Sequence, residues 1–147
     1  MYSNGIHSYR KTDVITADPK RLVLICYERA IDNLKIGRKR YMEKDYEGKA
    51  KALSKASDII NELLCSLDFE KGGAIAKNLD ALYNYMIRRI ITADLNRDLN
   101  AIDEVIGMLS ELKSVWEQVF YGLDTKINLE TREYEKQNAL ASGYVSV

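Results

Sequence analysis

The chain has 147 residues, 46% of them hydrophobic, and 22 Lys and Arg stand against 22 Asp and Glu, for a formal net charge of zero. That length suits one domain of ordinary size with a real apolar core. Zero net charge argues against nucleic acid as the main partner, because phosphate binding draws on excess positive charge.

Residues 1–15 (MYSNGIHSYRKTDVI) are mixed and polar, with Ile6, Tyr9, Val14 and Ile15 as scattered apolar points. They read as an extended N-terminal arm. Nothing in them resembles a signal peptide, and no later run approaches the roughly 20 apolar residues of a membrane span. The expectation is a cytoplasmic protein without membrane insertion.

The first helix has a clear start. Asp18 fits the N-cap, and Pro19, the chain's one proline, fits the first helical position, where its missing N–H costs nothing. The helix is expected to run to about Glu43 with Val23, Tyr27, Ala30, Leu34 and Tyr41 as its inner stripe. The run Leu22–Tyr27 is apolar all round, and such a helix must be covered on every side. Bundle neighbours cover one side; the other calls for the arm, a partner, or each in turn.

Lys44-Asp45 breaks the chain, and Asp45 is a second N-cap. Helix two follows, with Tyr46, Ala50, Leu53, Ser57, Ile60 and Leu64 on one face, ending near Leu67. Lys49, Lys51, Lys55 and Glu62 fall off that face and read as a solvated surface. Helix three is expected to begin around Gly72–Ala74, the glycine pair letting the chain reverse so that helices two and three lie side by side. Leu79, Leu82, Tyr83, Met86 and Ile90 form its core stripe, while Ile75, Asn78, Leu82 and Tyr85 point to another side. The helix ends near Asp94. Asn96-Arg97-Asp98 makes the next turn, and Asp98 caps helix four. That helix carries Leu99, Ile102, Val105, Ile106, Leu109, Leu112, Trp116, Val119 and Phe120, with Gly122 as its stop. Residues 123–147 hold few apolar anchors among their charges. A short helix over Ile127–Ala141 and a disordered tail are both open.

Four long amphipathic helices with short connections imply antiparallel neighbours. The fold class is therefore all-α, an up-down four-helix bundle over residues 16–122 with an arm before it and a weakly structured tail after it.

Catalytic patterns are missing. A bundle di-iron site needs Glu-x-x-His pairs projecting inward, and the single histidine, His7, lies in the arm. Gly72-Gly73 follows a helix rather than a strand, and no phosphate-loop motif is present. Cys26 and Cys65 sit in apolar helical runs without a CxxC pattern, and read as buried free thiols. Arg38-Lys39-Arg40 is expected to complement the negative end of helix one, with anion binding as the alternative, and Arg88-Arg89 to pair with carboxylates across the bundle or to touch a partner. The expectation is a non-enzyme without metal or cofactor.

Three stretches carry a resemblance. TADPKRLVLICYERAI, SLDFEKGGAIAKNLDALYNYMIRR and AIDEVIGMLSELKSVWEQV, in this order and spacing, resemble the FliS-type flagellin export chaperones, and the likeness covers roughly Tyr9 to Phe120. It implies a bundle that binds the C-terminal segment of flagellin, prevents early polymerisation and assists delivery to the flagellar type III export apparatus. It also implies that the arm covers part of the flagellin site when the site is empty, with Ile6 and Tyr9 as the cap. The longer tail after Gly122 and the small Cys26 depart from the family pattern.

The expected partner-binding residues are Leu22, Ile25 and Tyr27 on helix one and Ile75, Asn78, Tyr83, Tyr85 and Met86 on helix three. The alternatives are a bundle that binds a flagellar regulator such as an anti-sigma factor, and one that uses its second apolar face to self-associate. Monomer and homodimer both remain open.

Overall fold

The computed structural model describes residues 18–141, in places beyond Gly122 as backbone alone. The expected arm, with Ile6, His7 and Tyr9, lies outside the described residues. Helix α1 spans Pro19–Met42, α2 Tyr46–Cys65, α3 Phe69–Asn96 and α4 Leu99–Ala141, and no strand occurs among the described residues.

Short acidic side chains set the helix starts. The Arg21 N–H donates to Asp18 Oδ1 at 2.7 Å ahead of Pro19, and the Gly48 N–H donates to Asp45 Oδ1 at 2.9 Å. Asp68 accepts from the N–H groups of Glu70 and Lys71, both at 3.1 Å, and Asp98 accepts from Ala101 at 3.3 Å. Each bond satisfies an N–H that the first helical turn leaves without a partner. The Lys71 N–H, ahead of the other causes, holds the Asp68 carboxyl below its ordinary range. Left-handed residues mark two of the reversals, Lys44 at φ 60° and Arg97 at φ 54°.

Two boundaries differ from the sequence expectation. Helix α3 begins at Phe69, so the chain reverses over Ser66–Asp68 and the glycine pair lies inside the helix. Gly73, at φ 50° and ψ −125°, kinks α3 after its first turn, a conformation open to glycine because it lacks a Cβ. Helix α4 passes through Gly122 without stopping and continues to Ala141; one glycine costs a helix only about 1 kcal/mol.

The chain forms two compact units, one ending at Lys113 and the other beginning at Ser114. In the first unit α1 packs on α2 and α2 on α3. The start of α4 meets α3 through Arg89–Glu104 and α1 through Arg38–Asp103 and Lys113–Glu28. As residue numbers rise along one partner they fall along the other, so these neighbours run antiparallel and the helices follow one another around a four-helix bundle. The core holds Leu24, Tyr27, Leu34, Leu53, Ile60, Leu63, Tyr83, Met86, Ile90, Ile102, Val105 and Leu109. Burying side chains of this size stabilises by about 1.5–3 kcal/mol each. Across the diagonal, the hydroxyls of Tyr27 and Tyr83 hydrogen-bond inside the core, their ring centroids 6.5 Å apart. Where α1 crosses α2, a Cβ on Gly37 would lie 2.8 Å from Leu53 Cδ2, so the small residue sets the approach of the two helices. In the second unit Trp116 stacks on Phe120, with centroids 5.1 Å apart.

Several side chains depart from their expected places; Tyr46 and Val119, expected on the apolar faces of α2 and α4, are exposed. Lys49 is buried, with its Nζ 3.0 Å from both the carbonyl oxygen and Oδ1 of Asp94. Cys65 is exposed, and only Cys26 is a buried thiol. Leu82, assigned to the core stripe as well as to the second edge, is exposed.

Candidate partner-binding surface

The expected binding residues separate by depth. Leu22, Ile25, Tyr27, Tyr83 and Met86 are buried in the free chain, as is every residue of the run 22–27. They contribute to the core. Their burial agrees with the requirement that a helix run apolar all round be covered on every side. Ile75, Asn78 and Tyr85 are exposed.

These three and Leu82 lie on one edge of α3, at offsets of three and four residues that place them one above another. Ile75 is 58% exposed, Leu82 36% and Tyr85 37%. On the adjoining face of α3, Ala76, Leu79, Tyr83, Met86, Ile90 and Ala93 are buried. Helix α3 thus carries two apolar stripes, one used internally and one presented outward. The outward stripe lies on the α4 side, because Tyr85 and Arg89 both reach Glu104. On α4, Met108 and Leu112 follow Glu104 at four-residue steps and are half-buried, extending the apolar lining of that edge.

The Tyr85 hydroxyl donates to Glu104 Oε1, and Arg89 Nε donates to Glu104 Oε2 at 2.8 Å. Arg89 also lies 4.0 Å from Asp98. The Tyr85 hydroxyl bond, then the Arg89 bond and charge, holds the Glu104 carboxyl below its ordinary range. The same carboxylate raises the Tyr85 phenol and the Arg89 guanidinium. Glu104 is therefore an anion near neutral pH. Its hold on α3 is present above the ordinary carboxylate range and is lost as pH falls through the depressed value.

A separate open cleft of about 500 Å³ lies between α1 and α2, lined by Arg29, Asp32, Asn33, Lys55, Asp58 and Ile59. Its walls carry both signs of charge and one buried apolar side chain, so it offers a docking chain few anchors. Among the described residues no group of three or more His, Cys, Asp or Glu is placed to hold a metal ion. No helix there is long and apolar enough to cross a membrane. The sequence had marked the α3 edge, but not the role of Glu104, which no spacing rule connects to Tyr85 across a turn.

Comparison with known proteins points in one direction. Residues 2–122 match the family model for the flagellar protein FliS. The flagellar secretion chaperone FliS of Salmonella typhimurium is 42% identical over 125 residues, covering 81% of this chain and 93% of that protein. The chaperone of the same name from Vibrio cholerae is 36% identical over 119 residues, 78% of this chain and 88% of its own length. That of Bacillus subtilis is 29% identical over 115 residues, with 78% and 85% covered.

Proposed function

This chain belongs to the FliS family of flagellar secretion chaperones, and on that premise we propose that its cargo is the C-terminal segment of flagellin. It holds that segment in the cytoplasm against premature polymerisation and hands it to the flagellar export apparatus. One observation carries the reading: the row Ile75, Asn78, Leu82 and Tyr85 lies exposed along α3 although the core stripe of that helix is already filled.

A row at three- and four-residue spacing suits a cargo that lays down an amphipathic helix of its own. A disordered segment must be ordered as it binds, at a cost of several kcal/mol. Each apolar anchor offsets this by about 1.5–3 kcal/mol, roughly a tenfold to hundredfold effect on affinity. Several anchors are needed, and the edge with its α4 lining supplies them. Tyr83 and Met86 fill the core on the adjoining face of the same helix.

Calorimetry with a peptide from the flagellin C-terminal region tests the reading. Binding is expected in the free chain, and Ile75→Glu should weaken it by about tenfold or more with little change in melting temperature, because the side chain is exposed. Tyr83→Glu should instead unfold the bundle. Neither heat nor co-elution at tens of micromolar protein would assign the chain another cargo.

A further inference from the structure

We infer that the Tyr85–Glu104–Arg89 cluster is an end stop on the α3 edge, which fixes the register of a bound amphipathic helix by halting it at Tyr85. The inference rests on the reading that the flagellin segment docks along this edge.

The edge is bounded at both ends. From Ile75 to Tyr85 it is about 15 Å long, roughly three helical turns. Below Ile75 lies the kink at Gly73. Beyond Tyr85 the same spacing continues through Arg89, Thr92 and Asn96, and the stripe becomes polar. At that change of character, the hydrogen bonds from Tyr85 and Arg89 converge on one carboxylate and cross from α3 to α4. A helix lying along this edge has two options at that point: end there, or strip an ionised carboxylate of two charge-assisted hydrogen bonds, which are about twice as strong as neutral ones. An apolar residue in this register would find no cover. An acidic one would meet Glu104. The ligand class that fits is therefore a short amphipathic helix of roughly ten residues, with apolar anchors repeating every three to four residues.

Photocrosslinking in the full chain reads the register. A photoreactive amino acid replaces either Asn78, inside the stripe, or Thr92, seven residues beyond Tyr85 on the same side, and the probe is a synthetic flagellin C-terminal peptide. In the otherwise native chain the probe at position 78 should capture peptide and the probe at position 92 should stay at background. Glu104→Ala should raise capture at position 92 to the level seen at 78. Glu104→Gln keeps the side-chain volume but offers one acceptor oxygen where the carboxylate offers two, and should raise capture at position 92 part of the way, which a loss of packing alone would not do. Tyr85→Phe removes one hydroxyl from an exposed side chain, leaves folding intact, and should also raise capture at position 92. Capture at 92 in the native chain, or no gain there in either Glu104→Ala or Tyr85→Phe, overturns the end stop while leaving flagellin binding in place. Absence of capture at 78 overturns docking on this edge and the end stop with it. Absence of any peptide binding by calorimetry removes the cargo reading itself.

Discussion

Lys49 shows how a single side chain can leave the face that its sequence neighbours assign to it. Helical spacing places it beside the solvated lysines of α2, yet its side chain is 4% exposed, with its Nζ on the Asp94 carbonyl and carboxylate. The rings of Tyr41 and Tyr46 lie 5.8 and 5.7 Å away. The last carbonyls of α3 lack helical partners, so a cation there satisfies a carbonyl and opposes the helix dipole at once. No local pattern in α2 announces this, because the partner is 45 residues further on. Asp94→Ala should cost about 1–3 kcal/mol in a denaturant titration, less than for a fully dry ion pair because Asp94 is partly exposed. A Lys49→Met background should shrink that cost, and equal costs in both backgrounds would show the two residues to be uncoupled. The cysteines make a second contrast at this scale. Burial, then the charge of Glu62, pushes the Cys26 thiol up to about 12 from its ordinary 9.0. A thiol reagent at pH 8 should modify Cys65 rapidly in the folded chain and reach Cys26 only on denaturation. Because the folded value lies above the unfolded one, the stability contributed by the Cys26 thiol is complete below pH 9.0 and is lost as pH climbs toward about 12.

Helices one to three and the start of helix four were legible in the sequence because their signals are local: a short acidic cap, a 3.6-residue apolar period, and a polar break. Asp18, Asp45 and Asp98 cap where their positions imply. Gly73 was harder to read, because a glycine pair after a polar turn looks like the reversal itself, whereas Asp68 had already captured the helix start through two N–H groups. At Gly73 a Cβ would meet nothing within 4 Å, so any cost of Gly73→Ala comes from backbone strain alone. That substitution should lower stability by about 1–3 kcal/mol in a denaturant titration. The candidate site was half legible for a related reason. Periodicity reveals which residues share a face of α3, and so separated Ile75, Asn78 and Tyr85 from the core stripe. It does not reveal what covers a face: Leu22, Ile25 and Tyr27 lie in a run apolar all round, and all three are buried.

At the scale of the whole chain, the family match and the helices part company. The match ends at residue 122, whereas α4 continues to Ala141. A chain ended after Gly122 should therefore keep its affinity for the flagellin peptide within a few fold, as read by calorimetry, if binding resides on the α3 edge; a large loss would place cargo contacts on the helical extension. The bundle itself is connected in sequence order, each helix lying against the one before it. The diagonal bond between Tyr27 and Tyr83 is different, joining residues 56 positions apart. Neighbouring hairpins of helices close early and cheaply, and a contact that needs three helices already in place closes late. Tyr83→Phe should therefore leave the refolding rate nearly unchanged in stopped-flow measurements and steepen its cost onto unfolding. On that outcome the tyrosine pair acts on the lifetime of the native bundle rather than on the speed of its assembly, as a latch on how long the folded state persists.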